Sequence, residues 1–276
     1  MTNSRTFGKA ELWTALTIFS HGGEELVLGV SKKSGKAGIT DLKHNLVIPL
    51  YDEIHELGKI GGKYDCLKVK DGKKEGIITL NNEVIFPFIY DELRLVYEAN
   101  ATIVCKNGQY GVLNGIARAN GELIIPIAYD EIYYGGWTSN GKHYFRVRKD
   151  GKTGLVTRDN KLVFPFIFTD FETNWNLDGL FSGKQPWVLV TQYNGKILHG
   201  IARFPSGEIV IPVEWNEVHI LKNNLFLCAK WRGELVEWNV LDDMNNPLCK
   251  ESKLSYRIWN CYKDPDFQKI TKGIYT

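Results

Sequence analysis

The sequence has no apolar run approaching the ~20 residues of a membrane-spanning helix; its apolar stretches, such as Leu123-Ile124-Ile125-Pro126-Ile127-Ala128, are far shorter. It has almost no charge imbalance either. With 34 basic side chains against 32 acidic ones, a net charge of +2, no long-range field draws in nucleic acid or an anionic bilayer. Cysteine is scattered: Cys66, Cys105, Cys228, Cys249 and Cys261 are odd in number and never form a C-x-x-C pair, which argues against a disulfide framework and a zinc site alike. They read as reduced thiols of a cytoplasmic protein. The polar stretch Met1 to Lys9, followed by the short, Thr- and Trp-interrupted Leu12 to Phe19, predicts no secretory signal.

Recognisable catalytic patterns are missing too. No two of His21, His44, His55, His143, His199 and His219 have the short spacing of a zinc helix motif. Lys59-Ile60-Gly61-Gly62-Lys63 lacks the spacing of a phosphate-binding loop. Cys66 and Cys105 sit among apolar neighbours, where a thiol behaves as a small hydrophobe rather than a nucleophile. The expectation is no catalytic residue, no metal and no cofactor.

What is present is repetition. An aromatic, a polar residue, an acid and an apolar residue recur as Tyr51-Asp52-Glu53-Ile54, Tyr90-Asp91-Glu92-Leu93 and Tyr129-Asp130-Glu131-Ile132. Looser copies are Phe168-Thr169-Asp170-Phe171 and Trp215-Asn216-Glu217-Val218, and the aromatics are 39, 39, 39 and 47 residues apart. A period in that range marks repeat architectures. In the unit Leu67 to Leu93, Leu67 and Val69 alternate with Lys68 and Lys70, which reads as a half-buried strand. Asp71-Gly72 turns the chain, Gly76-Ile77-Ile78-Thr79 resumes it, Asn81-Asn82 turns it again, and Val84-Ile85-Phe86 forms a third strand that Pro87 is expected to end. The predicted fold is all-β, a tandem array of short antiparallel hairpins, with a five- or six-bladed β-propeller as the alternative.

The segment Ile/Val-Pro followed by Tyr-Asp-Glu resembles the WG-repeat family over roughly residues 25–220. The dipeptide that names the family is absent, because Ala37, Glu75, Tyr110, Thr153 and His199 precede the shared glycine. The resemblance implies a binding or scaffolding role in a bacterial protein and carries over no catalytic residue.

The chain divides on this reading into an N-terminal cap (1–26), five repeats (27–220), and a degenerate sixth repeat with a C-terminal cap (221–276). Tyr256, Ile258, Trp259 and Tyr262 are expected to form a packed lid in that cap. The Asp/Glu pairs could tempt a glycosidase reading. They recur at one phase, however, as turn-satisfying residues would, and neighbours on a strand point to opposite faces. The aromatics Tyr51, Tyr90 and Tyr129 are expected in the core between repeats.

Aromatics that do not recur lie in the joints, at Tyr133, Tyr134 and Trp137 and again at Trp175 and Phe181. Insertions in repeat proteins map to one face, often the binding face, and Trp and Tyr dominate binding hot spots. These five residues are the predicted partner-binding set, on loops spanning 133–137 and 174–186. The expected function is a non-enzymatic protein-binding module, in particular a bacterial immunity protein that occludes a toxin. The alternative is a carbohydrate or cell-wall binder that stacks sugar on Trp137, Trp175 and Tyr134; an enzyme using an acid in an inter-repeat groove is a third possibility.

Overall fold

A computed structural model describes residues 13–271 except 22, 44, 57–65, 116–121 and 174–176. His44, Gly58, Gly61, Gly62 and Trp175 therefore lie outside the described residues. The chain divides into two compact units, Met1–Tyr129 and Asp130–Thr276. Each unit holds, among the described residues, three four-stranded sheets whose strands pair antiparallel in chain order.

In the first unit the sheets are β1 (Trp13–His21), β2 (Glu24–Ser31), β3 (Ala37–Asp41) and β4 (Leu46–Tyr51); β5 (Glu53–Glu56), β6 (Cys66–Asp71), β7 (Lys74–Thr79) and β8 (Val84–Tyr90); and β9 (Glu92–Val96), β10 (Ala101–Lys106), β11 (Gln109–Asn114) and β12 (Leu123–Tyr129). In the second they are β13 (Glu131–Trp137), β14 (His143–Lys149), β15 (Lys152–Thr157) and β16 (Leu162–Phe168); β17 (Asp170–Glu172), β18 (Trp187–Tyr193), β19 (Ile197–Arg203) and β20 (Glu208–Trp215); and β21 (Glu217–Ile220), β22 (Phe226–Arg232), β23 (Leu235–Leu241) and β24 (Lys253–Ser255). The chain is thus an all-β array of short antiparallel hairpins. Leu12 to Phe19, read as part of a cap, falls largely in β1, which pairs with β2.

Each repeated residue has a mechanical task. The hairpin at Asn107-Gly108 places both residues at positive φ (53° and 77°), as does Asp150-Gly151 (51° and 70°), the backbone of a tight primed turn. Opposite the shared glycine the last strand of the sheet bulges. Glu75 pairs with Tyr90 and Ile77 with Phe86, so the single residue Gly76 faces Pro87, Phe88 and Ile89. The same shift recurs at Gly111, Gly154 and Gly200. Pro87 therefore does not end its strand, contrary to expectation. It sits in a bulge on an edge strand, where its missing N–H costs no ladder bond. The residue before the glycine lies across from the motif's aromatic: Tyr110 from Tyr129, Thr153 from Phe168, His199 from Trp215.

The hydrogen-bonding residue of the motif falls between two sheets and ties them together. Asp52, Asp91 and Asn216 donate their backbone N–H to the carbonyls of Lys70, Cys105 and Ala229 on the next sheet, at 2.8–2.9 Å. Their side chains reach on to that sheet's central turn. The Asp52 carboxylate accepts from Gly72 N–H, Asp91 from Asn107 at 2.6 Å, Thr169 Oγ1 from Tyr193 at 3.1 Å and Asn216 Oδ1 from Trp231 at 2.8 Å. Asp, Thr and Asn share an oxygen acceptor and nothing else, so the recurring requirement is a hydrogen bond rather than a charge. This is the structural role the recurrence predicted.

Adjacent sheets pack face to face within each unit. Ile39 and Ile48 of the first sheet meet Ile54, Leu67 and Val69 of the second, and Ile77, Phe86 and Tyr90 meet Leu93, Val104 and Leu113 of the third. In the second unit Phe164 and Phe168 meet Phe171, Val188 and Val190; Ile201 and Ile211 meet Val218, Phe226 and Cys228. Tyr90 and Phe168 are buried and Tyr51 is partly so, which puts these three motif aromatics in the core between repeats; Tyr129, expected there too, is half-buried and belongs to none of these clusters. The other face of the last sheet is covered by the chain's own end, where Ile258, Cys261 and Phe267 pack on Leu227, Val236 and Trp238. They come from a 3-10 helix, Ile258–Lys263, and a short helix, Pro265–Ile270. Tyr256 and Trp259, expected in the packed lid, are instead exposed.

The carboxylates carry a pH signature. The backbone N–H of Gly72 and the ammonium of Lys36 hold Asp52 below the usual carboxylate range; Lys74 and the Asn107 N–H do the same for Asp91, and Lys161 and Thr157 lower Asp159 to about 2. Such a group is more readily protonated in the unfolded chain than in the folded one. Its stabilisation is therefore complete above the unfolded value near about 4 and is lost as pH falls through the folded value. Melting temperature is expected to hold steady down to about pH 4 and then fall steeply towards about pH 2. At neutral pH Asp91→Ala should lower it by a few degrees and Asp91→Asn, which keeps the acceptor, by less. Equal losses in a thermal melt would mean that charge, not the bond to Asn107, is what the position supplies.

Candidate functional site

The extra length of the fourth spacing is an insertion between β17 and β18. It carries the helix α1 (Asp178–Phe181), and its anchor is Leu177, fully buried among Tyr144, Phe164 and Phe204. Phe181 stacks on Tyr144 with ring centroids 4.8 Å apart and meets Phe204 edge-on at 5.0 Å. Two further bonds fasten the insertion to the fourth sheet. Leu177 N–H donates to the carbonyl of Trp137 (2.8 Å), and Ser139 N–H donates to Asp178 Oδ1 (2.9 Å). The two joints singled out from the sequence are thereby brought to one place.

The segment 133–137, expected as a loop, is strand β13. Tyr133 lies opposite Arg146, Tyr134 opposite Phe145 and Trp137 opposite His143, with a register shift between Tyr134 and Gly136. The glycines suggested a loop, but they serve a bulge. A Cβ on Gly135 would lie 2.9 Å from a Leu155 methyl and 3.0 Å from Arg146 N, and Gly136 has φ 119°. Side-chain placement then separates the candidates. Tyr133 is 49% exposed, Trp137 38% and Phe181 42%. Tyr134 is half-buried, its hydroxyl 2.8 Å from His143 Nδ1 and its ring edge-on to Phe145, so it supports the strand. Trp175 lies outside the described residues.

Two concavities flank α1. One, of about 490 Å³, opens between the turn 138–142 and the helix and is lined by Asn140, Lys142, Tyr144, Asp178, Phe181 and Lys184. The other, of about 1030 Å³, lies between the insertion and residues 218–224, with Glu172, Lys184, Trp187, His219, Lys222 and Asn224 on its walls. In its wall Trp187 is fixed by Nε1 to Asn224 Oδ1 (2.9 Å) and by the Arg203 guanidinium 5.0 Å above its ring. The sequence signalled the insertion through its long spacing. It did not signal Tyr144, Leu177 or Phe204, whose pattern is that of ordinary core residues.

Across the described residues, the carboxylates and thiols with clearly displaced ionisation have little reactive character. Carboxylates with displaced ionisation, such as Asp41, Asp52, Asp91 and Asp159, are displaced downwards by hydrogen bonds and cations, opposite to what a general acid requires. Burial pushes the Cys261 thiol up to about 12 and raises Cys228 and Cys249 as well, away from the nucleophilic thiolate. Among the described residues no three His, Cys, Asp or Glu side chains are grouped to hold a metal ion, and no helix is long and apolar enough to cross a membrane.

The family described as "WG containing repeat" matches residues 76–110 and 115–152. The first match runs from the shared Gly76 to the residue before the next shared glycine, Gly111. No curated protein matches the chain. Among solved structures, a eukaryotic initiation factor aligns over 87% of this chain and 76% of its own at 12% identity and a TM-score of 0.35. Hsv2p of Kluyveromyces lactis aligns over 87% and 85% at 11% identity (TM-score 0.35), and TolB from Acinetobacter baumannii over 84% and 61% at 9% (TM-score 0.30). The chain thus spans about three fifths of that TolB.

Proposed function

From the premise that this chain is a WG-repeat protein, we propose that it is a non-enzymatic protein-binding module that holds its partner on the face built by β13 and the α1 insertion. The supporting observation is the convergence of the two non-repeating joints, locked by the Leu177 to Trp137 hydrogen bond, with Trp137 and Phe181 left partly exposed beside a polar concavity. Large aromatics that are both accessible and already held in place lose little entropy on binding, which is the property of a contact anchor. Lys142 and Lys184 beside them favour a partner with acidic groups at the rim. The narrower reading is an immunity protein that blocks a toxin by steric occlusion in the bacterial cytoplasm.

The test uses the full chain as bait in lysate of its own host. A stoichiometric protein partner is expected, lost on Trp137→Ala or Lys184→Glu with melting temperature unchanged. No stoichiometric partner, or one retained by both variants, would remove the proposal. For the narrower reading, co-expression of the chain should rescue cells from that partner's toxicity. The carbohydrate alternative at this face has less support, since Tyr134 is engaged with His143 and Phe145 rather than presented as a platform.

A further inference from the structure

The last sheet carries a second aromatic surface, remote in sequence from the first. Trp231 and Trp259 are 59% and 61% exposed, unusual for the largest apolar side chain. Neither ring is loose. Trp231 is the penultimate residue of β22, where its backbone N–H donates to Asn216 Oδ1 (2.8 Å) and its Nε1 donates to Glu217 Oε1 (2.9 Å). Trp259 lies against His219, with centroids 5.7 Å apart and planes at 60°, and stacks on Tyr262 at 6.3 Å and 19°.

Strand register puts these groups on one face. Glu217 is opposite Ala229, His219 opposite Leu227 and Trp231 opposite Val236. Ala229, Leu227 and Val236 all pack against the C-terminal segment that contributes Trp259. Partners across an antiparallel ladder share a face, so Trp231, Glu217, His219 and Trp259 follow one another along it. Glu217 and His219 are two residues apart on β21, about 7 Å along the strand, and the indoles flank them at either end. The row is longer than a single sugar ring.

The recurring motif shows that this arrangement is particular to the last sheet. Its acid elsewhere binds a cation or a phenol: Glu53 takes Lys70 at 2.7 Å, and Glu92 takes Tyr110 at 3.0 Å. Only Glu217, among the acids so described, holds an exposed indole. The same bond that satisfies one carboxylate oxygen fixes the orientation of a Trp face in water.

We propose that Trp231, Glu217 and Trp259 form a binding site for a neutral oligosaccharide, with sugar rings stacked on the two indoles and a sugar hydroxyl donating to Glu217. The hydrogen-bonding chemistry selects this class. A polyproline peptide also lies on aromatic rings, but it offers carbonyl acceptors and no donor, which would leave the remaining acceptor capacity of the Glu217 carboxylate, met on one oxygen by the Trp231 N–H, unsatisfied. Between the rings stand the Glu217 carboxylate, with acceptor capacity left, and the His219 imidazole 3.6 Å from it, and a polyol supplies donors and acceptors in abundance. Glu217 also disfavours an anionic ligand. The electron-rich indole face attracts the C–H face of a pyranose, and rings held before binding lose little freedom when it arrives. This site is independent of the protein-binding face.

The experiment is calorimetric titration of the full chain with cellohexaose, chitohexaose, maltohexaose and laminarihexaose, and separately with a proline-rich decapeptide, with indole fluorescence as a second readout. At least one oligosaccharide should bind with a dissociation constant in the millimolar range or tighter and shift the fluorescence. Trp231→Ala and Trp259→Ala should each weaken that binding tenfold or more, and Glu217→Gln severalfold. Because alanine variants could disturb the sheet, Trp231→Phe serves beside them. It keeps a stacking face but loses the bond to Glu217, and should fall between wild type and alanine at unchanged melting temperature. No binding to any of the four sugars, binding indifferent to all these variants, or binding of the decapeptide instead would overturn the assignment.

Discussion

Gly200→Ala is expected to destabilise the chain by about 3 kcal/mol, the upper end of what overpacking costs. A Cβ there would lie 2.5 Å from the Ile211 carbonyl oxygen and 2.9 Å from the backbone of Pro212. Both are backbone atoms of the bulged strand β20, which cannot rotate aside as a side chain could. The bulge depends on that close approach, because Ile201 pairs with Ile211 while His199 pairs with Trp215. Gly179→Ala is the matching control: its nearest neighbour is the flexible Gln185 side chain at 3.4 Å. As a residue of α1 it should be neutral or stabilising by up to ~1 kcal/mol. Urea denaturation of both variants decides the matter. Similar midpoints would show that the shared glycine is dispensable.

Leu177→Ala should cost about 2–4 kcal/mol, the range for truncating a buried leucine when the cavity cannot collapse. Leu177 is fully buried, and its neighbours Phe164 and Tyr144 are held by their own sheet. The effect is expected to be local as well as global. The insertion is otherwise held by the Phe181 ring contacts and by hydrogen bonds at Leu177, Asp178 and Pro186, of which those to β13 and its turn lie next to Leu177, so losing its anchor frees it from β13. Amide exchange over 177–185 should accelerate more than exchange in β14 or β15. If stability falls by less than about 1 kcal/mol and the segment stays protected, Phe181 rather than Leu177 carries the anchoring.

The distribution of successes along the sequence has a physical pattern. The period was legible because every copy solves the same problem in the same way: Asp52, Asp91, Thr169 and Asn216 differ in charge and size, yet each supplies an oxygen to the next turn. The expectation for Pro87 fails because whether a missing N–H matters depends on whether the strand lies at an edge. Tyr133 to Trp137 was misread for a related reason. Gly135 and Gly136 look like loop punctuation until the partner strand shows that they make a bulge. Of the five predicted contact residues, Tyr133, Trp137 and Phe181 are accessible and Tyr134 is engaged in the strand. Its partner His143 lies nine positions on, and no local rule links the two. Trp231 falls in the degenerate sixth repeat and Trp259 in the expected lid, and no local pattern shows that either ring faces water.

Alternation, turn residues and a period near ~39 were enough to determine an all-β array of hairpins, because strand and turn preferences act over a few residues and repeat with them. Which aromatics face water was decided only in three dimensions. Exposure depends on what lies across the sheet and over its face, and those neighbours come from distant parts of the chain: the insertion for Trp137, and the motif acid and the C-terminal segment for Trp231 and Trp259.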